Sequence, residues 1–184
     1  MEWIRRVGRL LVIIAMLLIV TVLLVFYAMN ETKVIRSSDM APSLRPDDSI
    51  LISRIAYITG SPQRGDLVAV NPSESNADDV VMIKRVIALG GETVRVHNGR
   101  VWVNNRALKE PYVAGPAGYE YGPVIVPQNC LFVLGDNRDN SYDSHLWNYW
   151  ITPSNLRGKV TRIYWPLSRF GAVGEPLQAK SQPE

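Results

Sequence analysis

The sequence predicts a mainly β domain carried on one N-terminal membrane-spanning helix. Three observations support this. Residues 10–29, LLVIIAMLLIVTVLLVFYAM, contain no charge, glycine or proline. Beyond them helical periodicity disappears and short runs rich in β-branched residues take over. Among those runs, Asn98-Gly99 separates two alternating segments, a strong short-range signal for a β-hairpin.

The apolar run fits a bilayer. A helix rises about 1.5 Å per residue, so a run of this length matches a hydrocarbon core of about 30 Å. A secretory signal peptide has a shorter apolar core and ends in small residues, whereas this run ends in FYAMNE. A buried core helix would show one polar face, and none is present. Phe26 and Tyr27 fall where aromatic rings favour the membrane interface. Arg5, Arg6 and Arg9 precede the run and place the N-terminus in the cytoplasm. The expected organisation is a basic cytoplasmic N-terminus (1–9), a single transmembrane helix (10–29), an extracytoplasmic β domain (30–170) and a disordered polar tail (171–184).

Within the domain, residues 49–54 (SILISR), 66–71 (DLVAVN) and 80–89 (VVMIKRVIAL) read as strands. Residues 94–97 and 100–104 flank Asn98-Gly99, where a tight turn needs positive φ at both central positions. Residues 130–136 (CLFVLGD) and 159–166 (KVTRIYWP) complete the set. Residues 109–129 are rich in Gly, Pro and Tyr and read as a loop or loose ribbon between strands.

Composition excludes several function classes. The net charge is +3, and three cations precede the apolar run, so the remainder is near neutral and nucleic-acid binding has little support. The one cysteine, Cys130, has no partner for an intrachain disulfide and reads as a buried apolar residue at a strand start. His97 and His145 lie far apart and no ligand spacing appears, so no metal or cofactor is expected.

Three segments carry chemistry. SSDMAPSL (37–44) follows the helix; taken alone it also reads as a polar loop with Asp39 and Pro42 as turn formers. IKRVIAL (83–89) places Lys84 and Arg85 in an apolar strand. Neighbours on a strand point to opposite faces, so one of the two is expected on the buried side. Burial penalises a lysine's charged form, which makes Lys84 a candidate general base; the alternative is a lysine snorkelling at a sheet edge. GDNRDNSYDS (135–144) is dense in donors and acceptors, as in an internally hydrogen-bonded loop. A calcium loop is the alternative there, but EF-hand spacing is lacking and Arg138 opposes a cation.

Taken together, these segments resemble the type I signal peptidases, membrane-anchored proteases with a serine–lysine dyad. The family's S-x-S-M-x-P-T-L segment corresponds to residues 37–44. Its R-G-D-hydrophobic strand corresponds to RGDLVAV (64–70), and K-R-V-I-G-L to residues 84–89 with Ala88 for Gly. G-D-N-R-D-N-S-x-D-S-R corresponds to residues 135–145 with His145 for Arg, and the closing YWPLSRFG is also similar. The resemblance implies a signal-peptidase-type coiled β-sheet or barrel domain. It assigns the nucleophile position to Asp39, the general base to Lys84, an oxyanion-hole hydroxyl to Ser37 and the lysine-orienting hydroxyl to Ser141. It implies substrate contacts at Ile35, Met40, Pro42 and Met82, and structural support from Asp136, Arg138, Asp143 and His145. His145 is expected to pair with Asp143 only when protonated.

The departure is Asp39, where the family has serine. A carboxylate within reach of the Lys84 ammonium favours both charged forms, so the lysine is expected to stay protonated and not act as a base. Carboxylate attack on an amide would give an anhydride with a poor leaving amine and no proton to pass on. Ser38, next in the chain, is expected to point away from Lys84. Three readings follow. The first is a catalytically impaired homologue that binds extended polypeptide segments or signal peptides by strand addition, as a binding or assembly subunit beside other membrane-complex subunits. The second is an active peptidase cutting after small residues at Ala-x-Ala sites. The third is a structural membrane protein whose β domain packs on a neighbour. The expected membrane is a bacterial cell or thylakoid membrane, with an organellar inner membrane as a further possibility.

Overall fold

The computed structural model describes residues 2–58, 60–71 and 81–173. One helix, α1 (Glu2–Met29), contains the whole apolar run, and its apolar side chains stand exposed along its length. The stretch Arg5–Met29 is long and apolar enough to cross a membrane. No other helix of that length occurs among the described residues.

Eleven strands follow among the described residues: β1 (Asn30–Val34), β2 (Ser49–Ser53), β3 (Leu67–Val70), β4 (Met82–Leu89), β5 (Thr93–His97), β6 (Arg100–Val103), β7 (Arg106–Ala107), β8 (Tyr121–Ile125), β9 (Leu131–Leu134), β10 (Leu156–Trp165) and β11 (Gly171–Ala172). They form two antiparallel sheets. The larger runs β1-β2-β10-β3-β4-β9, and the smaller runs β7-β6-β5-β8. β10 is long enough for two partners on one edge. Its first half pairs with β3, and Arg162 and Ile163 pair with β11. Against β2 its register shifts between Val160 and Arg162 and again between Ile163 and Trp165. Such bulges bend a strand and raise its twist, which coils the sheet.

The core explains why the central strands read as continuous apolar runs. All four residues of β3 are fully buried, and they alternate between two clusters. Leu67 and Ala69 join Ile50, Ile52 and Val160, while Val68 and Val70 join Val86, Val133 and Ile151. β9 alternates likewise, with Phe132 and Leu134 packing on the smaller sheet's Val94, Val96 and Val101. A strand covered on both faces has no polar face to display. The same cover buries both Lys84 and Arg85, where sequence alternation led us to expect one.

The hairpin at Asn98-Gly99 forms as expected, with φ of 51° and 72° at the two turn residues. A second one, at Asn104-Asn105 (φ 50° and 64°), joins β6 to β7 and was not anticipated. Three further differences concern boundaries. The Gly- and Pro-rich stretch 109–129 is not all loop, because β8 lies within it and pairs with β5. The β domain runs two residues into the expected tail through β11; residues 174–184 lie outside the described residues. Cys130 is half-buried rather than buried and precedes β9; burial raises its thiol pKa.

Phe132 is fully buried where the two sheets meet. Phe132→Ala should cost about 3–5 kcal/mol, while Ile125→Ala, at a residue 68 % exposed, should leave stability nearly unchanged. Urea unfolding of the detergent-solubilised chain, followed by tryptophan fluorescence, measures both.

Candidate active site

Two loops and one strand meet at Lys84. The strand is β4, where Lys84 stands opposite Val68 of β3. The residues after β1 are held by Ile35 N–H donating to the Asp48 carbonyl (2.8 Å) and Asp47 N–H donating to the Ile35 carbonyl (2.9 Å). Arg169, from the segment after β10, clamps this loop by donating to both Asp48 carboxylate oxygens and to the Ser43 carbonyl. The loop after β9 then docks onto it. Asn137 donates its backbone N–H to the Asp39 carbonyl (3.0 Å) and its side-chain amide to the Ser38 carbonyl (3.1 Å). Gly135 permits the close approach: a Cβ there would stand 2.6 Å from the Asp39 carbonyl oxygen and would run into the Ser141 side chain.

At the centre, Lys84 Nζ donates to Asp39 Oδ2 at 2.6 Å and to Ser141 Oγ at 2.8 Å. Ser37 Oγ donates to the other carboxylate oxygen, Asp39 Oδ1. The four groups form one chain, Ser37–Asp39–Lys84–Ser141. The lysine side chain is 2 % exposed and the Asp39 side chain 19 %, so the pair is open only at the carboxylate end. Ser38 lies in a turn rather than an extended segment; its Oγ accepts from Asn140 (3.0 Å), away from Lys84.

Support comes from two bidentate ion pairs. Arg85 donates to both oxygens of Asp136 (2.7 and 2.6 Å) and stacks over the Tyr112 ring at 3.9 Å. Arg138 donates to both oxygens of Glu110 (2.9 and 2.7 Å) and to the Gly135 carbonyl. Tyr112 donates its hydroxyl to Glu110, and burial, reinforced by that carboxylate, pushes its pKa far above the phenol range. Asp143 is fully buried; it accepts the Gly135 N–H (2.9 Å) and contacts His145 Nδ1. The contact with His145 needs only an N–H on Nδ1, which neutral imidazole supplies, so protonation is not required as the sequence had suggested. The His145 ring stacks on Tyr119, with centroids 3.9 Å apart. Burial and then the Asp143 charge raise the Tyr119 pKa.

The structure therefore brings together Ser37, Asp39, Lys84 and Ser141, with Asp136, Arg138, Asp143 and His145 around them. Of the residues expected to touch substrate, Ile35 and Met40 are buried in the core, Met82 is half-buried and Pro42 is exposed. Sequence reasoning did not single out Glu110, Tyr112, Asn137, Asn140 or Arg169. Glu110 and Tyr112 sit in a stretch read as loop, and Arg169 meets Asp48 across 121 residues of chain. Among the described residues, no group of three or more His, Cys, Asp or Glu is placed to hold a metal.

Removing one partner of a buried ion pair leaves the other uncompensated, at a cost of about 3–5 kcal/mol. Asp39→Asn should therefore destabilise the folded chain by about that amount. Asp39→Asn combined with Lys84→Met should cost less than Asp39→Asn alone. Urea unfolding of both variants and of Lys84→Met completes the cycle; additive effects would mean the contact contributes nothing.

Comparison with known proteins places this geometry in a family. Residues 3–165 match the family model "Signal peptidase, peptidase S26". The chain is 40 % identical over 151 residues to signal peptidase I of Leptolyngbya laminosa, covering 79 % of this chain and 74 % of that one. It is 41 % identical over 155 residues to a probable signal peptidase I-2 of Synechocystis, covering 82 % and 70 %. Thylakoidal processing peptidase 1 of Arabidopsis thaliana is 35 % identical over 159 residues, covering 82 % of this chain and 46 % of that longer one. With the match spanning the helix and nearly all of the β domain, this chain belongs to the signal peptidase family, peptidase S26.

Proposed function

We propose that this protein is a membrane-anchored signal peptidase homologue that holds signal peptides or similar extended segments without cutting them by the serine–lysine route. One observation carries the reading: Lys84 Nζ is engaged by the Asp39 carboxylate at 2.6 Å. By resemblance, Asp39 stands at the nucleophile position. A general base must take a proton from the attacking group, and a carboxylate has none to give. Substrate contacts at Ile35, Met40, Pro42 and Met82 belong to the same proposal. So do a role in binding or assembly with other membrane subunits, and a topology that leaves Arg5, Arg6 and Arg9 in the cytoplasm with the β domain across the membrane.

A second reading, an active signal peptidase, is favoured by the Ser37 contact. Ser37 Oγ donates to Asp39 Oδ1, the arrangement in which Asp39 accepts the serine proton as Ser37 attacks the carbonyl. The relatives' printed names, peptidases all, favour activity as well.

The deciding experiment mixes the full chain in detergent with a preprotein bearing an Ala-x-Ala site and reads the products by mass spectrometry. We expect no cleavage by the protein as it stands, and cleavage at the signal site by Asp39→Ser, a gain of about 100-fold or more over background. Cleavage by the unaltered chain that disappears in Ser37→Ala would establish the second reading instead.

A further inference from the structure

The outer face of the β1-β2-β10 edge carries a groove that the peptidase reading does not use. It has a volume of about 550 Å³, and its walls are mostly apolar. Phe26, one turn before the end of α1, forms one wall; Leu51 and Tyr164 line the sheet side. The sheet register gives the groove a simple plan. Thr32 pairs with Leu51, and Leu51 pairs with Arg162, so the three form one row across three strands. Tyr164 lies two residues beyond Arg162 on β10. The helix end is tied to the strand by Asn30, whose side-chain amide donates to the Phe26 carbonyl at 2.9 Å.

Arg162 is the cation of this face. Its guanidinium is exposed, and no acid among the described residues pairs with it. By contrast, the nearby Arg54 pairs with Glu31, and Lys159 with Asp66. The position along the chain sets the depth. Phe26 belongs to the apolar run, while Thr32 stands three residues past its end, at most about 10 Å along an extended strand. The groove thus spans the boundary between acyl chains and headgroups. It offers the apolar Phe26 wall at the inner end and a planar phosphate-binding cation with the neighbouring Thr32 hydroxyl further out.

We propose that this groove binds one anionic glycerophospholipid drawn from the bilayer that α1 spans. An acyl chain lies against Phe26 and Leu51, and the headgroup phosphate takes the Arg162 guanidinium at the far end of the Leu51 row, with Tyr164 beyond it on the side away from the helix. Binding here would fix the tilt of the β domain against the membrane, because the ligand touches helix and sheet together. The proposal rests on the membrane-anchored reading of α1.

The test reconstitutes the full chain in phosphatidylcholine vesicles containing a trace of photoactivatable phosphatidylglycerol, irradiates, and maps labelled peptides by mass spectrometry. Label is expected on peptides containing β1 and β10, displaced by unlabelled phosphatidylglycerol but not by phosphatidylcholine. Arg162→Gln should lower that label about tenfold, the worth of one charge-assisted hydrogen bond, with label on α1 unchanged. Thr32→Glu, also at an exposed position, should do the same by repelling the phosphate. Label confined to α1, or insensitive to both substitutions, would overturn the groove and leave only annular lipid. A chain washed off the vesicles at alkaline pH would instead overturn the anchor, and the groove proposal would fall with it.

Discussion

A lysine buried in the sheet is the constraint on which this structure turns. Lys84 lies in an interior strand, 1 % exposed, with apolar clusters on both sides of the sheet. An isolated ammonium in such a place is costly, so the fold has to bring it acceptors. None is available from β3 or β9, whose residues beside it are aliphatic. The acceptors come from two loops far apart in sequence, Asp39 before β2 and Ser141 after β9. Closing those loops over one atom determines much of the surrounding architecture: Asn137 against the Asp39 carbonyl, Gly135 where no side chain fits, and Arg169 reaching back to Asp48.

The same accounting explains the second ring of charges. Arg85 and Arg138 are nearly as buried as the lysine, and each receives a bidentate carboxylate and also donates to a backbone carbonyl, Arg85 reaching the Ser43 hydroxyl as well. Both pairs brace the loop after β9 from below, through Asp136 and through the Gly135 carbonyl. Buried ion pairs of this kind add little net stability over apolar packing, but losing one partner is expensive. Their effect is therefore to specify one loop conformation, the one that sets Ser141 beside Lys84. His145 joins this support through its Nδ1 contact with Asp143, stacked on Tyr119, and fills the place with a ring rather than a guanidinium.

Much of this was legible in the sequence, for identifiable reasons. The apolar run, the aliphatic strands and the Asn98-Gly99 turn are local signals, and each formed where periodicity or turn chemistry placed it. The meeting of Asp39 with Lys84 followed from ordered motifs rather than from periodicity. The strands that escaped notice lack a local signature. β1 (NETKV) is polar because it is an edge strand with one open side, and β7 and β11 are two residues long. β8 was hidden by Gly122 and Pro123, residues that a strand tolerates only at a sheet edge, where β8 lies. Arg169 and Glu110 could not be read as site residues, because their partners lie 121 and 28 residues away and nothing nearby in sequence marks the contact.

Aspartate at position 39 and lysine at position 84 are best understood as one physical unit. With alanine or glycine at position 39, the ammonium would keep only Ser141 and would face the full cost of burial with one neutral acceptor. An aspartate supplies the missing opposite charge at 2.6 Å. The arrangement also explains why Ser37 remains hydrogen-bonded although the resemblance gives it an oxyanion role: its hydroxyl now satisfies the second carboxylate oxygen. The contact that accommodates a buried Lys84 is the same one on which the proposed loss of the serine–lysine route rests.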